Sequence, residues 1–465
     1  MNKQNVACDY IQSSYLDFGR LRYDMIAQKV QILDAELHEP AETKPHEPGA
    51  IDPVSEKCEW RYLTNNDINT IVCNCCRETE RPVSAREILT VLNSDRVPRV
   101  HPLRDYVNSQ QPYDMLHEPD WIGDLAAQVH VVSHPQDADD ESLQQFWREC
   151  FKKWFVAMVG SWLYDGVVNH QVLVLIGRQG IYKTTWLEHL MPPELRSYCC
   201  KMSNTSQMSK DDRLRIAEFG LINLDELDAM GTRELNTMKS LITTADVNER
   251  VAYGYTKERR KRIASFCASS NRREFLSDMT GNRRWLPFEV DRIASPFTHP
   301  LPYERLYAQA KALVECGFYS YWFDLDDIAA IEAHNDDYRI QESEEQLLPI
   351  LFGVPAKGKG EFLTTAQISE RLVTYGNIKK PMALSHLGML LGRAGYMAVT
   401  RGPRNCRTRG WIVYQLTQDE INANKRLIAK SLAESEEVPE AVPEANGGVT
   451  CNSQEKELFE KEELL

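Results

Sequence analysis

Val172-Leu-Val-Leu-Ile176 runs without a break into Gly177-Arg178-Gln179-Gly180-Ile181-Tyr182-Lys183-Thr184-Thr185, with Trp186 and Leu187 close behind. The apolar run reads as a parallel strand buried on both faces. The glycines read as a loop, and the stretch from Lys183 onward as a helix. That order turns successive backbone N–H groups toward a polyphosphate, and glycines let the chain approach it closely. Lys183 would set its ammonium against the β- and γ-phosphates of ATP, and Thr184 would offer its hydroxyl to Mg²⁺. Gly177 to Thr185 is therefore the candidate nucleotide-contacting loop. The phosphate-loop pattern G-x-x-x-x-G-K-[ST] has glycine before the lysine. Here that residue is Tyr182, and Gly180 supplies the flexibility two positions early.

Working outward, strand and helix patterns alternate to about Val290, which is the α/β signature. Leu221-Ile-Asn-Leu224 is a short apolar strand ending in Asp225-Glu226. A carboxylate at that strand end can reach the Mg²⁺ shell, and the adjacent Glu226 can polarise the attacking water. Asp228 reads as a solvated helix-start residue. Ile263-Ala-Ser-Phe-Cys-Ala-Ser269-Ser270-Asn271 is another apolar strand with a polar tip, where the Asn271 amide could hold the attacking water or the γ-phosphate. Alone, Asn271 would read as a turn cap. Thr280-Gly281-Asn282-Arg283-Arg284 supplies two guanidinium groups of the kind that stabilise phosphoryl transfer. Alone, the pair would read as surface arginines. Their order, all between Gly177 and Arg284, points to nucleotide hydrolysis.

A chain of 465 residues needs two or three domains. Residues 1–57 read as an N-terminal segment and linker, ending in HEPAETKPHEPGAIDP, and 58–140 as a mostly helical domain. In the latter, Thr64-Asn-Asn-Asp67 and Ser84-Ala-Arg-Glu87 mark helix starts, and Asp120 to His130 reads as a further helix. Ser142 to Tyr164 reads as a long helix with a wide apolar stripe, wedged between domains. The nucleotide domain spans 141–320. Residues 345–418 follow as helix, short strand, helix, helix and two strands joined by RGPRNCRTRG, an order that suits a winged helix.

The net charge of −14 is not uniform. Residues 431–465 carry ten Glu against Lys456 and Lys461 and read as a disordered acidic tail. Arg371 to Gln418 holds eight Arg or Lys and no Asp or Glu, as a polyanion-binding module would. No apolar run is long enough to span a bilayer, and the N-terminus lacks the apolar stretch of a secretion signal. The twelve cysteines therefore read as thiols of a cytoplasmic protein with no membrane partner. Cys73-Asn-Cys75-Cys76 lacks a second pair at zinc spacing and reads as packing, as do Cys199-Cys200, and Asn169-His170 read as structural.

GRQGIYKTTW, LINLDELD, ASFCASSN and TGNRRWLPFEV together resemble the virulence-associated protein E family. Those proteins are P-loop ATPases of phages and mobile elements, related to superfamily-three helicases within the AAA+ class. The resemblance covers Phe146 to Asp291 and extends more weakly upstream through YLTNNDIN and SDRVPRVHPLRDY. The C-terminal module resembles an uncharacterised domain that follows this ATPase in gut Bacteroidetes proteins. The resemblance implies an AAA+-type P-loop core, with Lys183 and Thr184 as the Walker A pair and Asp225 and Glu226 as the Walker B pair. Asn271 is then the sensor, and Arg283 or Arg284 the finger donated to a neighbour's ATP. It further implies a ring, expected to be a hexamer, that moves on single-stranded or forked DNA. No polymerase-type carboxylate set stands in the N-terminal part, so priming would fall to a separate primase.

Two basic segments are the candidate DNA contacts. Asn248 to Arg262 interleaves basic residues with Tyr253 and Tyr255, suiting a hairpin that meets phosphates and stacks on bases, with Arg250, Lys257 and Arg259 foremost. In superfamily-three helicases the DNA-contacting loop falls in this interval. The plain alternatives are a solvated basic hairpin or arginines that face ATP at the subunit interface. Arg393, Arg401, Arg404, Arg407 and Arg409 would line the helix and wing of the C-terminal module, for which a protein-binding wing is the alternative. Two functions remain open: an ATP-driven DNA motor replicating a mobile element, or an ATP-gated DNA-binding switch or defence component that does not unwind. A small-molecule enzyme is disfavoured by the paired arginines and basic segments.

Overall fold

The computed structural model describes residues 2–34, 59–132, 140–202, 210–225, 227, 230–249, 258–276, 282–355, 360–403 and 407–435. The chain divides into two compact units, Met1–Ile340 and Gln341–Leu465, and the fold is mixed α/β.

The first unit begins with helix α1 (Lys3–Ile11), strands β1 (Leu21–Asp24), β2 (Lys29–Asp34) and β3 (Glu59–Tyr62), and helices α2 (Asn65–Thr79) and α3 (Ala85–Leu92). Strand β4 (Arg99–Val100) completes a sheet of order β3-β2-β1-β4. Thr64 and Ser84 cap α2 and α3 with reciprocal bonds to Asp67 and Glu87, as their spacing predicts. Cys75 is buried on α2 and the Cys76 thiol bonds the backbone of Val83, as a packing role predicts, whereas Cys73 on the helix's outer face is exposed. The N-terminal reading needs correction, because Lys3–Asp34 is not a mere lead-in to a linker. Its helix and hairpin share one core with α2 and α3 through Val6, Ile11, Leu21, Ile71 and Ile88. The hairpin turn lacks Gly, Pro and Asn. It closes instead through Asp24, whose Oδ1 accepts from Ile26 and Ala27 N–H at 2.8 and 3.1 Å, and through Gln28 at φ 56°.

Helices α4 (Pro102–Ser109) and α5 (Trp121–Ala126) lead to strand β5 (Val129–Val131), so the stretch predicted as one helix to His130 ends in a strand. Then come α6 (Asp140–Leu163), β6 (Val172–Ile176), α7 (Lys183–Glu188), β7 (Cys199–Met202), α8 (Lys210–Glu218), β8 (Leu221–Leu224), α9 (Thr232–Thr243) and the hairpin strands β9 (Asp246–Glu249) and β10 (Glu258–Lys261). Strands β11 (Ser265–Ser270) and β12 (Trp285–Ile293) and helices α10 (Tyr303–Glu315) and α11 (Leu325–Asn335) finish the unit.

The central sheet has the order β5-β12-β6-β11-β8-β7; every neighbouring pair is parallel except β5 with β12. Strand β6 lies at its middle. Leu173 and Leu175 enter one apolar core and Val172, Val174 and Ile176 the other, which is why the run VLVLI has no polar residue. Helix α6 fills the first core rather than a gap between domains. Its indoles are fully buried because each N–H finds a carbonyl: Trp147 to Ala126 at 2.9 Å, Trp154 to Phe266 at 3.2 Å and Trp162 to Gly220 at 3.2 Å.

Beside the sheet, Arg262 is buried and donates to the carbonyls of Ala264 (2.8 Å), Asn169 (2.8 Å) and Ile242. Arg262→Ala would orphan three carbonyls at about 1–3 kcal/mol each. The expected result is a thermal midpoint lowered by about 4 °C or more, roughly what a loss of about 3 kcal/mol produces in a unit of this size. An unchanged midpoint would show that water replaces the guanidinium.

The second unit comprises α12 (Ser343–Leu351), β13 (Phe352–Gly353), β14 (Glu361–Leu363), α13 (Thr365–Gly376), α14 (Leu384–Arg393), β15 (Met397–Arg401), β16 (Thr408–Gln415) and α15 (Gln418–Ser435). The predicted elements occur in the predicted order, but the structure adds the short strand β13 after α12 and the helix α15 after β16. Strand β16 pairs antiparallel with β13, β14 and β15, and Trp411 on it donates from Nε1 to Thr365 Oγ1 at 3.0 Å. The predicted acidic tail lies almost wholly outside the described residues. Among the described residues no helix is long and apolar enough to cross a membrane.

Candidate functional site

Three parallel strands deliver their C-terminal ends to one place. Val172 of β6 stands in register with Phe266 of β11, and Ser265 of β11 with Leu221 of β8. The ends of β6, β11 and β8 therefore present Gly177, Ser269 with Asn271, and Asp225 side by side. Gly177 N–H donates to Ser270 O at 3.1 Å, fixing the loop's first residue. A Cβ at Gly177 would stand 2.3 Å from the Val290 carbonyl of β12, so no other residue fits there. Gly180 takes φ +88°, the left-handed region that glycine enters freely.

Lys183 is the first residue of α7 and is buried. Its ammonium donates to Gly177 O and Arg178 O, both at 2.7 Å, and to Asn271 Oδ1 at 3.2 Å. The lysine thus spans from its own loop to the tip of β11. Next to it Thr184 Oγ1 lies 3.3 Å from Asp225 Oδ1 and 3.1 Å from Ser269 Oγ, and Ser269 donates to the same Asp225 oxygen at 3.0 Å. These are hard oxygens of the kind Mg²⁺ takes. Among the described residues no group of three or more His, Cys, Asp or Glu could hold a metal by itself, so a metal here would need ligands from phosphate and water. Gln179, Gly180, Tyr182, Lys183, Thr184, Thr185, Asp225, Ser269 and Asn271 line one cavity of about 360 Å³. Arg178 is exposed on the loop, and Ile181 packs its side chain against the first core. Ser269 was missed as a site residue by sequence reasoning. The only signal was its place beside Asn271 at a strand tip.

Arg283 and Arg284 lie elsewhere. They precede β12, whose Trp285 is level with Val172 at the start of β6, so the sheet separates them from the loop by about 16 Å. Asn335 of α11 clamps their turn, donating from Nδ2 to Asn282 O at 2.8 Å and Trp285 O at 2.9 Å. With Asn169, His170, Tyr321 and Trp322 they line a second cavity of about 400 Å³. Burial, with Arg262 and Arg284 nearby, pushes the His170 imidazole below its ordinary range. Such a ring is neutral at pH 7.

Of the predicted DNA contacts, Arg250, Lys257 and Arg404 lie outside the described residues, as does Glu226. Arg259 is on β10 and exposed, bonded to Asp246 at 2.6 Å; Lys261 meets the same carboxylate at 2.8 Å. The pair holds the Asp246 carboxyl below its usual range. Arg260 and Arg262, from the same basic run, point inward: Arg260 bonds Glu218 at 2.8 Å together with the Ile26 and Ala217 carbonyls. On the second unit Arg393, Arg401, Arg407 and Arg409 are exposed, and Arg401 sits 5.0 Å over the Phe362 ring.

Residues 128–340 match the model of the virulence-associated protein E-like domain. No curated protein matches. Among solved structures, the apo structure of the NrS-1 C-terminal region is similar at 10% identity and a TM-score of 0.42, over 88% of this chain and 99% of that one. An A-form apo structure of the same region is similar at 11% identity and a TM-score of 0.40, over 86% and 98%.

Proposed function

We propose that this chain is an ATP hydrolase of the AAA+ type that forms a ring and drives DNA translocation or unwinding during replication of a phage or mobile element. The observation that carries the reading is the meeting of Lys183, Thr184, Ser269, Asp225 and Asn271 at the ends of three adjacent parallel strands. The strand bearing Asn271 runs between the loop strand and the acidic strand, an arrangement in keeping with that class. The donor set fits a magnesium triphosphate: an ammonium and loop N–H groups for phosphate, and the Thr184 hydroxyl and Asp225 carboxylate for the metal. Magnesium would neutralise charge on the transferring phosphoryl group. Glu226 follows Asp225 and would orient the attacking water, with Asn271 placed to hold it against the γ-phosphate.

Distance supports a subunit arrangement. Arg283 and Arg284 cannot reach their own loop across the sheet, so they serve a neighbour's nucleotide if they serve any. The second unit, with its helix pair and antiparallel strands, is read as a winged helix that meets DNA through Arg401, Arg404, Arg407 and Arg409, with Arg393 beside them. Arg250, Lys257 and Arg259 would meet the strand inside the ring.

The test records turnover with and without single-stranded DNA, and displacement on a forked duplex, in the same preparation. DNA-stimulated turnover with displacement supports a motor, whereas stimulation without displacement makes the chain a switch. An ATPase indifferent to DNA would overturn both readings. The triple variant Arg401→Ala/Arg407→Ala/Arg409→Ala is expected to weaken single-strand binding and to flatten its log–log salt dependence by about 2, at roughly 0.7 per lost contact. An unchanged slope would remove these arginines from the interface.

A further inference from the structure

Tyr182 stands where a phosphate loop ordinarily has glycine, and its backbone takes φ 67°. Glycine adopts that conformation without cost; a residue with a Cβ does not. A side chain held there against strain calls for a reason. Tyr182 is 42% exposed, and it lines the same cavity as Lys183, Thr184, Asp225 and Asn271. Its ring meets Phe297 edge-on, with centroids 6.3 Å apart at 75°. Phe297 is 69% exposed. It reaches the loop because β12 runs on past the end of β6 to pair with β5, after which the chain turns, Thr298 N–H donating to Ser295 O at 3.2 Å.

The support beneath the rings is firm. Phe297 packs against His189, centroids 5.4 Å apart. The His189 ring bonds Thr185 O at 2.7 Å, and the His189 carbonyl accepts from the Tyr303 hydroxyl at 2.7 Å. Two large aromatic rings thus remain in solvent, that of Tyr182 lining the polar cavity at a conformational penalty and that of Phe297 set against it. Neither is used by phosphate or metal chemistry.

We infer that Tyr182 and Phe297 form the stacking platform for the nucleobase of the nucleotide whose phosphates the loop holds. The inference rests on the phosphate-loop reading. Lys183 and Thr184 draw the phosphates inward, and the base at the far end of the nucleotide then meets aromatic surface. Stacking uses the π-face that every base has, so the platform grips purine nucleotides without choosing among them.

The experiment compares binding of ATP, GTP and inorganic tripolyphosphate, each with magnesium, to the full chain by calorimetry. Tyr182→Ala and Phe297→Ala are each expected to weaken ATP and GTP about tenfold to a hundredfold and to leave tripolyphosphate within about twofold. Tyr182→Phe is expected to bind ATP like the parent. Tyr182→Gly relieves the backbone strain but removes the ring, so tripolyphosphate binds as well or better while ATP weakens. Equal weakening of ATP and tripolyphosphate would reduce Tyr182 to a loop support and overturn the inference. Unchanged ATP binding in Phe297→Ala and Tyr182→Ala would place the base elsewhere. If the parent chain binds neither ATP nor tripolyphosphate, the phosphate-loop reading fails first and the platform falls with it.

Discussion

Lys183→Ala is expected to lower ATP turnover by at least roughly 10²–10³-fold, the range for deleting a single donor aimed at developing charge. The ammonium is buried and donates to two loop carbonyls and to Asn271. Exchange of these carbonyls for phosphate oxygens would give the ammonium anionic acceptors, the stronger charge-assisted kind. Alanine removes that exchange. The fold is expected to survive, because Gly177 is half-buried and Arg178 exposed, so water can replace the lost donor at their carbonyls. A thermal midpoint close to the parent's, with phosphate release near background, is the expected pair of measurements. Near-parental turnover would overturn the phosphate-loop assignment and everything proposed from it.

That site was legible because its signals are local. A strand, a loop and the first helical turn lie within Val172–Leu187, and the strand-end residues Asp225 and Asn271 each close an apolar run. Capping boxes at Thr64 and Ser84 were equally local. The misses share a different cause. The hairpin Leu21–Asp34 turns on a carboxylate rather than on glycine or asparagine, so the turn left no mark in the composition. Arg260 and Arg262 sit in a basic run that looks solvated. Their acceptors include Ile26, Asn169 and Ile242, far off in the sequence, and only the folded chain brings those carbonyls to a buried guanidinium. Ser269 is one hydroxyl in the pair Ser269-Ser270. Its role depends on facing Thr184 and Asp225 across neighbouring strands, which spacing along a single strand does not encode.

Arg283→Ala is expected to abolish turnover while leaving ATP binding by the protomer intact, and Arg284→Ala to do so to a lesser degree. Arg283 is the more exposed of the two, whereas Arg284 is half-buried beside His170. A guanidinium supplied to a phosphoryl-transfer transition state is worth about 10³–10⁵ in rate. The lever here is geometric. Strand β6 has its loop at one end, and the arginine turn stands at the other, held by Asn335. In a ring built from a head-to-tail interface, one protomer's loop end faces the next protomer's arginine end. Mixing Arg283→Ala with Glu226→Gln separates this arrangement from a local structural role. Each variant alone is expected to be inactive, the first lacking the arginine and the second the group proposed to orient water. In random equimolar rings about a quarter of interfaces pair an intact loop side with an intact arginine side. Turnover is therefore expected to return to about a quarter of the parental rate, provided neighbouring sites fire independently. Recovery on mixing, at a rate that scales with the fraction of mixed interfaces as the ratio of variants is changed, would support donation between subunits. Persistent inactivity at every ratio, with rings intact by mass, would return the arginines to a purely structural role beneath β12.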